Sequence, residues 1–383
     1  MSPVTLHLRS ETKPLEHRSA LTPTVTRKLL EAGFSVNVER SPERIFADSE
    51  FESVGATLID EGSWPSAPAD HMIIGLKELE DKEPFPLRHT HIQFAHCYKG
   101  QGGWQDVLGR FPRGGGQLYD LEFLEEVRVA AFGFHAGYAG SALALMDWAW
   151  QLNEKRPLEG KTHYAYKQDL DQEVKSEVQK GLQKTGGRYP QVLIIGALGR
   201  CGKGALECCR VVGIPEDNLL KWDLQETMAK SGPYEEIRKA DIFINCIYLD
   251  KASAPKFVTV DSLKSGKRNL SVVCDVSCDT TNPNNPIPFA NEPTYFNKPT
   301  ISLPGFSNPP LSYITIDHLP SLLPREASEA FSEALLPSLL KLPERDTAPV
   351  WVDARKLFDE KANELPESLR RRETSAVNGD AKT

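Results

Sequence analysis

Short apolar runs alternate with amphipathic stretches along most of the chain, a pattern that predicts strands alternating with helices. One helix is predicted between the first two strands, because Thr22 and Pro23 form a good helix start and Gly33 a stop. Such alternation favours parallel, doubly wound sheets, so we predict the α/β class, with two Rossmann-like domains and an active-site cleft between them. The predicted strands are 4–9, 34–40, 57–60, 71–77, 91–96, 117–122, 191–197, 218–223, 241–248, 270–277 and 313–318.

The order of these elements predicts how the chain divides. The stretch 137–152 is apolar, rich in small residues and long, which indicates a buried helix that joins two domains. We expect residues 1–135 with about 320–365 to form one Rossmann-like domain and residues 136–319 to form the other. The rest is a proline-rich loop at 282–310, a final helix that begins at Pro324 and a disordered tail at 366–383.

Composition narrows the class of protein. A net charge of −8 over 383 residues gives no basic face for nucleic acid, and no apolar run reaches the ~18 residues of a membrane span. The amino terminus has no signal-peptide pattern, so we expect a cytoplasmic protein that acts on small molecules, without nucleic-acid or membrane partners. The seven cysteines form no C-x-x-C pair, which favours buried thiols over a metal site or a disulfide framework.

A glycine-rich turn follows the first strand of the second half, in the stretch QVLIIGALGRCGKGA (191–205). Gly196, Gly199 and Gly202 have the spacing G-x-x-G-x-x-G rather than the usual G-x-G-x-x-G. The helix after them would offer free N–H groups to a pyrophosphate. Asp223 ends the next strand, where a carboxylate accepts from ribose hydroxyls and repels a 2′-phosphate. We therefore predict that 136–319 binds NAD, the alternative being a glycine-capped turn without a ligand.

Ionisable residues follow three successive strands of the first half. Taken singly, each is better explained by a strand that needs a polar end. Because the carboxyl ends of parallel strands meet at one edge, we expect them to lie together as an acid–base cluster. The residues are Lys77, Glu78, His96, Lys99 and Glu122.

Two arginines suit a substrate rich in carboxylates, because a guanidinium pairs with two oxygens at once. Arg18 lies near the first strand and Arg128 follows the third ionisable strand end; the alternative for each is an ordinary surface arginine. With these residues the chain resembles the fungal NAD-dependent, lysine-forming saccharopine dehydrogenases over nearly its whole length. More distantly it is similar to alanine dehydrogenases and transhydrogenases. The motifs are ETKPLEHRSALTP, IIGLKE, HIQFAHCYKGQGGW, LYDLEFLE, LIIGALGRCGKGA, INCIYL, DVSCDTTNPNNPIP and IDHLPSLLPREASE.

The resemblance implies a function and a set of site residues. The implied reaction is oxidative cleavage of saccharopine by NAD and water to lysine and 2-oxoglutarate, in a monomer. Lys77 would accept the proton of the secondary amine, His96 would act as acid and base in the hydrolysis, and Glu78 and Glu122 would tune them. The implied substrate contacts are Arg18, Lys77, Lys99, Gln101, Arg128, Phe132, Ser277, Cys278 and Asp279. The implied NAD contacts are Gly199, Arg200, Asp223, Thr227, Tyr248, Val276, Ile316, Asp317, His318 and Leu319.

One departure and one cysteine pair bear on the cofactor site. Val127 stands where the family usually has a second arginine that contacts NAD. Cys201 in the glycine turn and Cys246 at a strand end belong to the same sheet edge. Two alternatives stay open for them, a reversible disulfide or two free thiols beside the cofactor.

Two other functions stay open. One is an alanine-dehydrogenase-like activity on a simple amino acid, which needs fewer carboxylate partners. The other is a non-catalytic NAD-binding sensor, which would have no need for the lysine, histidine and glutamates of the acid–base cluster.

Overall fold

The computed structural model describes residues 3–79, 84–100, 102–124, 132–247, 255–278, 280 and 284–370. Its strands are β1 (Thr5–Leu8), β2 (Ser35–Glu39), β3 (Thr57–Ile59), β4 (Met72–Ile74), β5 (Thr90–Gln93), β6 (Gln117–Asp120), β7 (Val192–Ile195), β8 (Leu219–Trp222), β9 (Ile242–Asn245), β10 (Val272–Asp275), β11 (Ile301–Ser307) and β12 (Pro310–Ile314). Its helices are α1 (Pro23–Glu31), α2 (Asp48–Ser53), α3 (Trp104–Gly114), α4 (Gly133–Glu154), α5 (Lys167–Thr185), α6 (Arg200–Val211), α7 (Leu224–Met228), α8 (Glu235–Lys239), α9 (Val260–Lys264), α10 (Pro324–Leu339), α11 (Pro349–Asn363) and α12 (Glu367–Arg370).

The chain divides into two compact units. Unit 1 comprises residues 1–131 and 328–383, and unit 2 comprises residues 132–327. Each unit is built on one sheet with helices packed against it, which confirms the predicted α/β class. No described helix is long and apolar enough to span a membrane.

The sheet of unit 1 has the strand order β3-β2-β1-β4-β5-β6, and its described strands are all parallel. Its central strands are buried on both faces, as in β4, where Met72, Ile73 and Ile74 are 5% exposed or less. Burial on both faces explains why they are apolar runs without alternation. The order reverses between β1 and β4, and ligands of such sheets bind outside the carboxyl ends at that point.

Helix ends of unit 1 follow the signals in the sequence. The Thr22 hydroxyl accepts a hydrogen bond from the Val25 N–H at 3.3 Å, and Pro23 occupies the first turn of α1. Gly33 follows that helix with a φ of +88°, a conformation that favours glycine. These contacts fix where the chain turns from α1 into β2.

The tail differs from the prediction of disorder for 366–383. Residues 367–370 form α12, and Leu369 lies against Gly109 of α3. Leu365 is 2% exposed in the same apolar cluster. The polar composition of the tail favours disorder, but Leu369 gives it an apolar side chain that packs against α3. Residues 371–383 lie outside the described part of the chain.

The sheet of unit 2 has the order β11-β12-β10-β9-β7-β8. The predicted buried helix is α4, which belongs wholly to unit 2 and packs on α6. Gly137 permits that approach, because a Cβ there would overlap the Cys201 carbonyl. The strand order reverses between β7 and β9, beside the glycine turn.

The proline-rich loop predicted at 282–310 contains a strand. β11 pairs antiparallel with β12 at the edge of the sheet, whereas the other described strands of unit 2 are parallel. Pro304 and Gly305 interrupt its apolar pattern, and an edge strand tolerates both. The last predicted strand, 313–318, is β12 at Pro310–Ile314.

Candidate active site

Unit 1 gathers ionisable side chains at the carboxyl edge of its sheet. Lys77 and Glu78 follow β4, His96 follows β5, and Glu122 follows β6. The segment after β1 crosses the same edge and contributes Lys13, which the sequence argument had not singled out. The structure thus brings together the side chains that were predicted to form an acid–base cluster.

Glu78 is the centre of this cluster. One carboxylate oxygen lies 3.1 Å from Lys13 Nζ and the other 3.4 Å from His96 Nδ1. Burial raises the pKa of Glu78, but His96 and the charges of Lys77 and Lys13 outweigh it and hold the pKa well below its usual range. Glu78 is therefore a carboxylate throughout the neutral range.

The His96 side chain is half-exposed, and the charge of Glu78 favours its protonated form. The neighbouring Glu78 carboxylate raises the pKa of His96, against the opposing effect of burial. The φ of His96 is +49°, a left-handed conformation that is uncommon outside glycine. Such backbone is found at functional sites, where surrounding contacts keep it in place.

Glu122 and Lys99 form an ion pair beside a buried acid, Asp120. Asp120 accepts hydrogen bonds from the Glu122 N–H at 2.9 Å and the Ala95 N–H at 3.3 Å. Burial raises the pKa of Asp120 to about 6. Its two hydrogen bonds join the ends of the strands that carry His96 and Glu122. In the sequence, only the position of Asp120 at the end of β6 could have indicated this role.

Glu16 is another buried acid, and the charges of Arg18 and Lys77 both act on it. The Arg18 guanidinium donates two hydrogen bonds to Glu16, Nε to Oε1 at 2.8 Å and Nη2 to Oε2 at 2.6 Å, and the Arg18 N–H donates a third to Oε1 at 3.1 Å. Burial raises the pKa of Glu16, but the charges of Arg18 and Lys77 and these hydrogen bonds lower it to about 2. Arg18 was predicted as a substrate contact, and the structure shows it engaged with a carboxylate of its own chain.

The glycine turn of unit 2 is as tight as a phosphate cradle requires. Gly196 has a φ of +86°, and a Cβ there would lie 2.8 Å from the Cys246 carbonyl oxygen. A Cβ on Gly202 would lie 2.5 Å from Ala197 Cα and still closer to the Gly196 carbonyl oxygen. Gly199 precedes α6 with its surroundings open and Arg200 exposed at the first turn. The unusual spacing therefore still leaves a helix N-terminus accessible to phosphate.

Asp223 lies against this turn, as the sequence predicted. Its carboxylate accepts from the Leu198 N–H and from the Leu224 N–H, each at 2.9 Å. The Thr227 hydroxyl donates to the Asp223 carbonyl at 3.0 Å, within α7. Leu198 in the turn and Leu224 and Met228 in α7 have exposed apolar side chains, at 72%, 67% and 75%.

Other predicted residues lie at the carboxyl edge of the same sheet. The Ser277 hydroxyl donates to the Ile247 carbonyl, and the Cys278 thiol donates to the Thr315 carbonyl at 3.1 Å. Cys278 has a φ of +52°. Val276 packs towards α4, where a Cβ on Gly140 would lie 2.9 Å from it.

The predicted IDHL segment after β12 is largely internal. Ile316 and Leu319 are at most 1% exposed and belong to the apolar core. The His318 ring lies edge-on to Phe296 with 5.1 Å between centroids, whereas Asp317 is exposed. The side chains of Ile316 and Leu319 are therefore part of the core rather than of a binding surface.

Cys201 and Cys246 are free thiols in this structure. A hydrogen bond to Cys201 and burial together raise the pKa of Cys246 well above its usual value.

Phe132 is the residue before α4. Among the described residues no group of three His, Cys, Asp or Glu side chains is arranged to hold a metal. The predicted site residues that lie outside the described part are Gln101, Arg128, Tyr248 and Asp279, together with Val127.

Family models match both halves of the chain. Residues 7–139 match the N-terminal domain of alanine dehydrogenase/PNT, and residues 167–361 match its C-terminal domain. A solved L-alanine dehydrogenase has the same fold, with a TM-score of 0.62, 16% identity and 94% of each chain covered. The fold and the site thus define a member of the alanine dehydrogenase/PNT class.

Curated relatives narrow this class. Saccharopine dehydrogenase [NAD(+), L-lysine-forming] of Neurospora crassa is 59% identical over 372 residues, covering 96% of this chain and 99% of the relative. The protein of the same name from Yarrowia lipolytica is 61% identical over 363 residues, covering 94% and 97%. Alanine dehydrogenase 1 of Staphylococcus aureus is 26% identical over 351 residues. The chain belongs to the saccharopine dehydrogenase [NAD(+), L-lysine-forming] family, which confirms the resemblance seen in its motifs.

Proposed function

We propose that this protein is an NAD-dependent oxidoreductase that cleaves saccharopine with NAD and water to L-lysine and 2-oxoglutarate. The observation that carries the proposal is the cluster of Lys77, Glu78 and His96 at one sheet edge of unit 1. It occurs in a chain 59% identical to a relative named for that activity. NAD, when bound, supplies the acceptor for the hydride that leaves the carbon beside the secondary amine.

Lys77 accepts the proton of that secondary amine. An amine can act as a base only when it is neutral, and nearby carboxylates favour the charged form. Here Arg18 neutralises Glu16, and Lys13 and His96 neutralise Glu78. Glu16 and Glu78, the two acids on which the Lys77 charge acts, are thus already paired with other cations.

His96 carries the proton in the hydrolytic half of the reaction. Water adds to the imine carbon, and the resulting carbinolamine collapses to 2-oxoglutarate as the lysine amine leaves. A group must take a proton from the water and give one to the leaving amine. The imidazole beside Glu78 is suited to both roles, because its half-exposed position lets it exchange protons with solvent.

Other residues bind the cofactor and the substrate. Asp223 accepts from the ribose hydroxyls of NAD, while Leu198, Leu224 and Met228 cover the adenine. Gly199 and Arg200 lie where the pyrophosphate meets α6. Substrate carboxylates are assigned to Arg18 and Lys99, with Gln101, Arg128, Phe132, Ser277, Cys278 and Asp279 as further contacts. A monomer in the cytoplasm stays a prediction from the sequence.

An assay of NADH oxidation tests this function. We expect rapid oxidation with lysine and 2-oxoglutarate, and none with pyruvate and ammonia. Rapid oxidation with pyruvate and ammonia alone would instead identify an alanine-dehydrogenase-like enzyme. NADH binding without turnover on either pair would identify a non-catalytic binding protein.

A further inference from the structure

The segment after β1 binds the main chain on both sides of Lys77. Glu11 accepts from the Leu76 N–H at 2.6 Å and from the Lys77 N–H at 3.0 Å, one through each carboxylate oxygen. The Arg9 guanidinium donates to the Lys77 carbonyl. Side chains of one segment therefore satisfy three main-chain groups around the residue to which we assign the amine proton.

These contacts begin where the strand pairing ends. The Gly75 N–H still bonds to the Ile92 carbonyl at 3.1 Å, and the Leu76 carbonyl still accepts from the Phe94 N–H at 3.0 Å. The Leu76 and Lys77 N–H groups bond to the Glu11 carboxylate instead of a strand carbonyl. Arg9 and Glu11 thus continue the hydrogen bonding of the main chain by one residue, to Lys77, beyond the sheet.

The structure makes room for this pair inside unit 1. Arg9 Nη1 lies 3.3 Å from Glu11 Oε2, with side chains 0% and 6% exposed. A Cβ on Gly75 would lie 2.6 Å from the Arg9 guanidinium carbon, so only glycine leaves space for it. A buried charge is costly unless it is paired and hydrogen-bonded, and here each charge meets the other and the backbone.

We propose that Arg9 and Glu11 form a backbone clamp that fixes the direction of Lys77 and so sets the position of its amine. The clamp rests on the proposed function, because it matters for turnover only if Lys77 handles the proton. Arg9 and Glu11 are positioning residues, since their described contacts are to main chain and to each other. Displacing a reacting group by about 1 Å can cost about 100-fold in rate.

Glu11→Gln is the sharpest perturbation of the clamp. A carboxylate accepts from both N–H groups at once, whereas a carboxamide has one oxygen and turns its NH₂ towards the other N–H. We expect kcat with lysine and 2-oxoglutarate to fall about 10- to 100-fold, with NADH binding unchanged.

A matched control separates positioning from general destabilisation. Asp241 in unit 2 is also a buried carboxylate that pairs with an arginine, Arg188, and accepts a backbone N–H, from Gln191 at 2.8 Å. Asp241→Asn should lower the melting temperature as Glu11→Gln does, but leave kcat within about twofold of the wild type.

The decisive measurement is a double-mutant cycle with Lys77→Met. If the clamp acts through Lys77, adding Glu11→Gln to Lys77→Met should change the residual turnover by less than about twofold. An equal fall in both backgrounds, or wild-type turnover of Glu11→Gln, would overturn the clamp. Full activity of Lys77→Met would instead overturn the proposed role of Lys77, which is a separate result. Should Glu11→Gln fail to fold, Arg9→Lys, which keeps the charge but loses the planar fork, is judged by the same cycle.

Discussion

Replacing Gly202 by alanine tests the glycine turn most directly. The new Cβ would lie 2.5 Å from Ala197 Cα and closer still to the Gly196 carbonyl oxygen, distances that real Cβ atoms do not show. Both neighbours are main-chain atoms, so no side chain can rotate to relieve the overlap. The start of α6 must move away from the end of β7 if alanine is to fit.

The expected cost follows from that geometry. Overpacking costs about 1–3 kcal/mol, and we take about 2–3 kcal/mol here because the backbone itself must shift. In a unit the size of residues 132–327, each kcal/mol lowers the melting temperature by about 2–4 °C. We therefore expect Gly202→Ala to melt about 4–12 °C below the wild type in a fluorescence-detected thermal scan without cofactor.

Gly199→Ala is the matched control in the same turn. The φ of Gly199 is −70°, and a Cβ there would lie 3.4 Å from its nearest neighbour, the Gly196 carbonyl oxygen. It should melt within about 2 °C of the wild type. Its affinity for NADH, measured by titration, should nevertheless fall, because the added methyl group points into the space that we assign to the pyrophosphate. A Gly202→Ala protein as stable as the wild type would refute the tight packing of α6 on the turn.

Three further predictions concern single side chains. Lys77→Met should reduce turnover about 10²- to 10⁴-fold, the usual effect of losing an acid–base group, whereas the exposed Lys28→Met should not; equal rates would remove Lys77 from the mechanism. Asp223→Ala should weaken NAD binding about 10-fold or more and narrow its preference over NADP; an unaltered preference would mean that the ribose is recognised elsewhere. Burial raises the pKa of Asp147 from 3.8 to about 6, so its protonated form stabilises the fold at low pH and that contribution is lost as pH rises through 6. Relative to the wild type, the unfolding free energy of Asp147→Asn should therefore rise by about 2.4 kcal/mol between pH 4 and pH 8, measured by urea denaturation, and a constant difference would contradict this.

Much of the fold is visible in local patterns of the sequence. A strand buried on both faces must be a short apolar run, and a helix start needs a cap, so β1 to β10 and α1 could be located without a structure. The lysine, histidine and glutamates were found for a related reason. Parallel strands put their carboxyl ends at one edge, so polar residues after successive strands must meet there.

Other features depend on contacts that local patterns do not contain. β11 is apolar only in part, and its pairing with β12 at a sheet edge makes it a strand. Glu11 binds the backbone of Leu76 and Lys77, which are 65 and 66 positions later in the chain. Asp120 joins the ends of two strands. Nothing near Glu11 in the sequence distinguishes it from a surface carboxylate, and for Asp120 only its position at the end of a strand does.

The sequence by itself determined the class of fold, the glycine-rich turn and the chemical types gathered at the edge of the first sheet. Only the tertiary structure decided which carboxylate pairs with which cation, and hence which pKa values move. The physical reason is distance. Hydrophobic periodicity and capping act over a few residues, whereas burial and ion pairing depend on segments that folding alone brings together.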